Sequence, residues 1–212
     1  MKAILFDLDG TLIDSTEPIV MGFCAAFKSH NLKEPKSEQI TALIGHTLEF
    51  MFEQLGAPKD EIQSFVDVYK NTYTKYYLDG TTLIDGAKEA LIMAKKHAKL
   101  AVVTTKTSEN SKILLGHLGV SEFFDVIIGR SDVINAKPHP EGILKALNVL
   151  KIKPENSFMI GDTILDASAA KNANCTALGV LCGYGSKESL EQNCYKVFKN
   201  PKEAVNFIIT NL

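Results

Sequence analysis

Five short apolar runs punctuate the chain, at 3–8 (AILFDL), 99–104 (KLAVVT), 124–129 (FDVIIG), 157–161 (SFMIG) and 176–181 (TALGVL). Most are continuous rather than alternating, the pattern of strands covered on both faces. Between them the apolar spacing turns helical. In 87–97, Ala87, Ala90, Leu91 and Ala94 fall on one face, and 141–150 carries Ile143, Leu144, Leu147 and Leu150. Segment 166–174 is rich in small residues, which lets a helix lie close to a sheet. Strands alternating with helices predict an α/β fold, a Rossmann-like parallel sheet of five strands.

Region 15–80 breaks this alternation. Ile19, Val20, Phe23, Cys24 and Phe27 form one helical stripe, and Leu48, Met51, Phe52 and Leu55 another. A third helix carries Ile62, Phe65, Val66, Tyr69, Tyr73 and Tyr76. Three to four helices exceed what a simple crossover needs. The pattern predicts a helical cap over 15–80, inserted into a discontinuous core of residues 1–14 and 81–212.

Composition narrows the function classes. The 212 residues carry a net charge of −2 with no long run of either sign, so no electrostatic surface for nucleic acid or membrane is expected. Arg130 is the only arginine, which leaves any phosphate to lysines, backbone N–H groups or a metal. Cys24, Cys175, Cys182 and Cys194 show neither metal spacing nor a disulfide framework. Together with a start that runs straight into a strand, this predicts a reducing, cytoplasmic setting. No stretch reads as long and apolar enough to span a bilayer.

The candidate chemistry lies at strand ends, where open parallel sheets bind ligands. The first strand ends in Asp7, Asp9, Gly10 and Thr11, and the second in Thr104, Thr105 and Lys106. Lys137 follows the third in NAKPHPEG, and Asp162 and Asp166 follow the fourth in IGDTILD. Residues two apart on a strand share a face, so Asp7 and Asp9 are expected side by side, repelling each other. A hard cation such as Mg²⁺ takes one or two carboxylates and relieves that repulsion. Asp7 and Asp162 are the candidate ligands, Asp9 the proton donor and acceptor, and Lys137 the charge for a phosphate. Asp166 has a second reading, as the cap of the helix after it.

These motifs resemble the haloacid dehalogenase-like hydrolase superfamily. The resemblance rests on FDLDGTLIDS, on VVTTK, on Lys137 in AKPHPEG and on IGDTILDASAAKNA. The GYG at 183–185 and the helical cap resemble the phosphoglycolate phosphatase and β-phosphoglucomutase branch. The resemblance implies Asp7 as a nucleophile that forms an aspartyl-phosphate and Asp9 as the general acid and base. It implies Mg²⁺ held by the Asp7 side chain, the Asp9 carbonyl and Asp162, with Asp166 supporting the metal shell. Thr104, Thr105 and Lys137 would bind the phosphoryl group. The implied partner is a small phosphate ester, and the implied reaction is its hydrolysis.

Three rival readings meet obstacles in the sequence. A phosphomutase of the β-phosphoglucomutase type is expected to place an arginine in the cap segment around Gly45, and LIGHTLEFMFEQLG has none. A phospho-signalling receiver, which resembles this set of Asp, Thr and Lys, phosphorylates an Asp on its third strand. Here that strand ends in Gly129 and Arg130. A regulatory protein with a vestigial site would not be expected to fill every chemical position. The sequence leaves the substrate and the oligomeric state open.

Overall fold

The computed structural model describes residues 1–211. Eight strands are present among them: β1 (Lys2–Phe6), β2 (Ile13–Asp14), β3 (Thr82–Leu83), β4 (Ala98–Val103), β5 (Val126–Ile128), β6 (Ser157–Gly161), β7 (Thr176–Val180) and β8 (Lys196–Phe198). Six of them form one sheet in the order β5-β4-β1-β6-β7-β8, and every pairing is parallel. β2 and β3 form a separate two-stranded ribbon.

The sheet therefore has six strands, not the five that the apolar runs predict. The sixth, β8, is three residues long and pairs only with β7. An edge strand needs no continuous apolar run, and Lys196 stands exposed in it. The central strands fit the prediction: Ala3, Ile4, Leu5 and Phe6 are all fully buried. Ala3 and Leu5 join Ala101, Val103 and Met159 in a core with Ile143, Ala146 and Leu147 from the helix Glu141–Leu150. The small-residue helix, Ile164–Asn172, adds Ala167, Ala169 and Ala170 to the same core.

The order of the strands positions the site. From β1 the chain builds outward through β4 and β5, then crosses back to build β6, β7 and β8 on the other side. The direction reverses between β1 and β6, and a crevice opens at the carboxyl ends of strands at such a point. Asp7 follows β1 and Asp162 follows β6.

Contacts divide the chain into two compact units, Met1–Asp14 with Leu83–Leu212, and Ser15–Thr82. The second unit holds four helices, Thr16–Ser29, Ser37–Thr41, Leu48–Gln54 and Ile62–Tyr76. Its interior is aromatic. Phe52 is fully buried, with ring centroids of Phe23 at 4.4 Å, Phe65 at 5.5 Å and Phe27 at 6.1 Å. Gly22 lets two helices approach closely, because a Cβ there would lie 2.7 Å from the Tyr69 ring. Tyr76 leaves the predicted stripe and is exposed.

Because Phe52 centres this cluster, Phe52→Ala is expected to destabilise the protein by about 3–5 kcal/mol. Urea unfolding followed by circular dichroism measures it. A loss below about 1 kcal/mol would mean that the cluster collapses around the gap and does not depend on this ring.

Candidate active site

Asp7 extends the β1 ladder by one residue, donating its N–H to the Ile160 carbonyl at 2.9 Å. Beyond it the strand stops. The Leu8 carbonyl accepts N–H groups from Thr11 (3.3 Å), Leu12 (2.9 Å) and Ile13 (3.0 Å), a tight reversal that Gly10 enters with φ +84°. The two acids have different cations. Lys137 Nζ lies 2.7 Å from Asp7 Oδ1, and Lys106 Nζ lies 3.2 Å from Asp9 Oδ1. The sequence reading puts Lys106 at a strand end but gives it no task.

Lys137 is buried, and its ammonium is shared. It donates to Asp166 Oδ1 at 2.6 Å and to the Val103 carbonyl at 3.2 Å. Burial alone would lower its pKa, but the charges of Asp166 and Asp7 outweigh that and push it up. Asp166 also serves the helix that it begins. Its Oδ2 accepts from the Thr163 N–H at 3.1 Å and from the Thr163 hydroxyl at 2.7 Å. The capping reading of Asp166 is thus met by one oxygen, while the other holds the lysine, a contact that the sequence reading does not foresee.

Asp162 is fully buried. Its Oδ1 accepts the Thr11 hydroxyl at 2.9 Å, and its Oδ2 accepts the Tyr184 N–H at 2.9 Å. Gly10, Gly183 and Gly185 make room for this carboxylate and its backbone, since a Cβ on any of them would fall against Asp162. Thr11 and Tyr184 are partners that the sequence reading leaves unassigned. The glycine pair around Tyr184 is the signal that could have pointed to them.

Thr104 is buried at the end of β4, and its hydroxyl accepts the Lys106 N–H at 3.2 Å. Thr105 lies half-buried in the same turn. Gly129 lets the next loop pack directly on this one: a Cβ there would strike Ser108 N, and Arg130 N donates to the Lys106 carbonyl at 2.8 Å. Cys182 is the nearby thiol, with Sγ 3.5 Å from the Gly10 carbonyl. Burial and the charge of Asp162 push it up to about 12, so it offers no thiolate nucleophile at neutral pH.

The carboxylate oxygens of Asp7, Asp162 and Asp166 lie within 4.8 Å of one another, and all three residues are buried. Lys137 is the ammonium in contact with Asp7 and Asp166. Three carboxylates and one ammonium leave two negative charges uncompensated. The titration reflects this. Burial raises Asp7 to about 7 against the opposing pull of Lys137, and the charges of Asp166 and Asp9 add to the rise. Burial and the charges of Asp166 and Asp7 hold Asp162 well above the usual carboxylate range. Asp7 Oδ1 has the lysine charge beside it but no hydrogen bond in proper direction. A hard divalent cation fits this donor set, because it supplies two positive charges and accepts oxygen ligands.

Among the described residues no helix is long and apolar enough to cross a membrane. The chain is 35% identical over 191 residues to phosphoglycolate phosphatase of Aquifex aeolicus, covering 87% of this chain and 86% of that one. It is 36% identical over 195 residues to pyrophosphatase PpaX of Listeria monocytogenes, covering 91% and 88%. A solved haloacid dehalogenase-like family hydrolase from Streptococcus pneumoniae superposes with a TM-score of 0.90 at 28% identity, covering 98% of each chain. Residues 4–180 match the haloacid dehalogenase-like hydrolase family. With five-sixths of its length inside that match and its paired carboxylates at the reversal of the sheet, this chain belongs to the haloacid dehalogenase-like hydrolases.

Proposed function

We propose that this hydrolase is a Mg²⁺-dependent phosphatase that cleaves a small phosphorylated metabolite through an aspartyl-phosphate on Asp7. The observation that carries the reading is the buried cluster of Asp7, Asp162 and Asp166 around Lys137, two charges short of neutrality. The relatives named for phosphoglycolate and for pyrophosphate support the class of reaction. Both of those names describe a phosphoryl group whose leaving group, glycolate or phosphate, is itself an anion.

Asp7 and Asp162 would hold the metal with the Asp9 carbonyl, and Asp166 would steady Lys137 beside them. Mg²⁺, when bound, offsets the carboxylate charge and the charge that builds on the phosphoryl oxygens. In the first half-reaction the Asp7 carboxylate attacks phosphorus, the P–O bond to the leaving group breaks, and Asp9 gives that oxygen a proton. In the second, Asp9 takes a proton from water as its oxygen attacks the aspartyl-phosphate. Inorganic phosphate departs and Asp7 is regenerated. Splitting one displacement into two lets a single carboxylate serve as acid and then as base. Thr104, Thr105 and Lys137 would hold the phosphoryl oxygens, and the lysine charge counts most as negative charge develops.

Phosphate release from a panel of phosphorylated metabolites is expected to stop in excess chelator and to return with Mg²⁺. Turnover that survives chelation would remove the metal from the mechanism.

Asp7→Asn is expected to abolish turnover in a protein that remains folded, since an amide cannot serve as this nucleophile. Asp9→Asn should slow turnover by roughly 10²–10⁴-fold. Rapid-quench trapping of labelled phosphate on the protein checks both variants. Near-normal rates in Asp7→Asn would rule out the covalent route.

Without metal, stability should fall as pH rises. The raised pKa values of Asp7 and Asp162 mean that the folded chain binds protons more tightly than the unfolded chain. That preference favours folding at low pH and is lost for Asp7 as pH rises from about 4 to about 7. His46, which burial shifts down, has the opposite slope. Comparing melting temperatures with and without Mg²⁺ cancels His46. The upward shift with Mg²⁺ should be larger at pH 7.5 than at pH 5, and equal shifts would contradict the charge account.

A further inference from the structure

We infer that Lys106 selects substrates whose leaving group is itself anionic, a carboxylate-bearing alcohol or a phosphate, over esters of neutral alcohols. The inference rests on the phosphatase reading above and on Asp9 as the residue that meets the leaving oxygen.

Two lysines serve the two acids that follow β1, and they stand on different partners. Lys137 is bound to Asp7 and Asp166, the side where the phosphoryl group is attacked. Lys106 is bound to Asp9, the residue that would protonate the leaving group, with Nζ 3.2 Å from Oδ1. Only 9% of the Lys106 side chain and 12% of the Asp9 side chain are exposed. A lysine serving only solubility would keep its ammonium in water, because withdrawing it costs both solvation and rotamer freedom.

Its backbone is also fixed. Lys106 N donates to the Thr104 hydroxyl at 3.2 Å, and its carbonyl accepts Arg130 N at 2.8 Å. A Cβ on Gly129 would come within 2.7 Å of that carbonyl, so the neighbouring loop closes on Lys106 without clearance. The ammonium is thus delivered from the same rigid turn that carries Thr104.

To receive a proton, the leaving oxygen must come within hydrogen-bond distance of the Asp9 carboxyl. Groups one or two bonds further along the leaving group would then fall within reach of the ammonium that lies 3.2 Å from that carboxyl. A carboxylate or phosphate there gains a charge-assisted hydrogen bond, and a neutral hydroxyl gains a weaker one. As the P–O bond breaks, its electron pair goes to the leaving oxygen, which takes the Asp9 proton. The anionic substituent keeps its charge throughout, so the lysine contact persists from binding to release.

The test uses matched esters: 2-phosphoglycolate, inorganic pyrophosphate, and 2-hydroxyethyl phosphate, in which CH₂OH replaces the carboxylate. For the full-length protein with Mg²⁺, the readout is the ratio of kcat/KM for each anionic substrate to that for 2-hydroxyethyl phosphate. In Lys106→Gln, and in Lys106→Met, which keeps much of the stem without the charge, the ratio should fall by roughly 10- to 100-fold. Lys106→Arg should restore most of it, and the restored ratio should come chiefly from KM. A ratio that does not move, with all three substrates losing rate together, would show that Lys106 only holds Asp9 in place and would overturn the inference. A wild-type protein that cleaves none of the three and no other phosphate ester would instead overturn the phosphatase reading, and the inference with it.

Discussion

An imbalance of buried charge governs this molecule. Asp7, Asp162 and Asp166 are withdrawn from water together, and Lys137 balances only one of them. Unpaired carboxylates in a low-dielectric interior must bind protons or find a cation. Much of the surrounding structure follows from meeting that demand. Thr11 and the Tyr184 N–H hydrogen-bond Asp162, Thr163 hydrogen-bonds Asp166, and glycines 10, 183 and 185 clear the space that the Asp162 carboxylate and backbone occupy. A substitution at any of these positions acts on the charge cluster before it acts on anything else.

The fold was legible in the sequence where burial was two-sided. Continuous runs such as AILF could only be central strands, and all four residues are fully buried. It was illegible where one side of an element faces water. β8 is three residues on the edge of the sheet, and its sequence, Lys-Val-Phe, carries no run to read. Periodicity found three of the four helices of the aromatic unit because their stripes are bulky, and missed the five-residue helix Ser37–Thr41. Ser108–His117 escaped because Ser108 and Ser111 share its buried face with Leu114 and Leu115.

The site was legible in its residue types and less so in its pairings. Acids, a threonine and a lysine at strand ends identified the place. Alternation along a strand predicted that Asp7 and Asp9 would lie close together and repel, and the charge of Asp9 does act on Asp7; what it could not show is that each acid takes its own lysine beyond the point where the Leu8 carbonyl gathers three N–H groups. The separate pairing of Asp9 with Lys106 depends on contact between two loops about a hundred residues apart, which no local pattern encodes.

The position of β1 also has a consequence for how the chain is made. β1 is synthesised first, yet its two neighbours are Ala98–Val103 and Ser157–Gly161. The strand that leads into Asp7 therefore waits for its first neighbour until β4 is made, and for its second until β6 is made. The helical unit at Ser15–Thr82 has no such wait, since it is made of one continuous stretch of chain. On the ribosome the order of assembly is the reverse of the order of synthesis at this point: the inserted helices can settle first, and the strand made before them is locked only when β6 emerges. A nascent chain halted before residue 157 would hold a folded insert and an open sheet, with Asp7 and Lys137 made but Asp162 and Asp166 still to come.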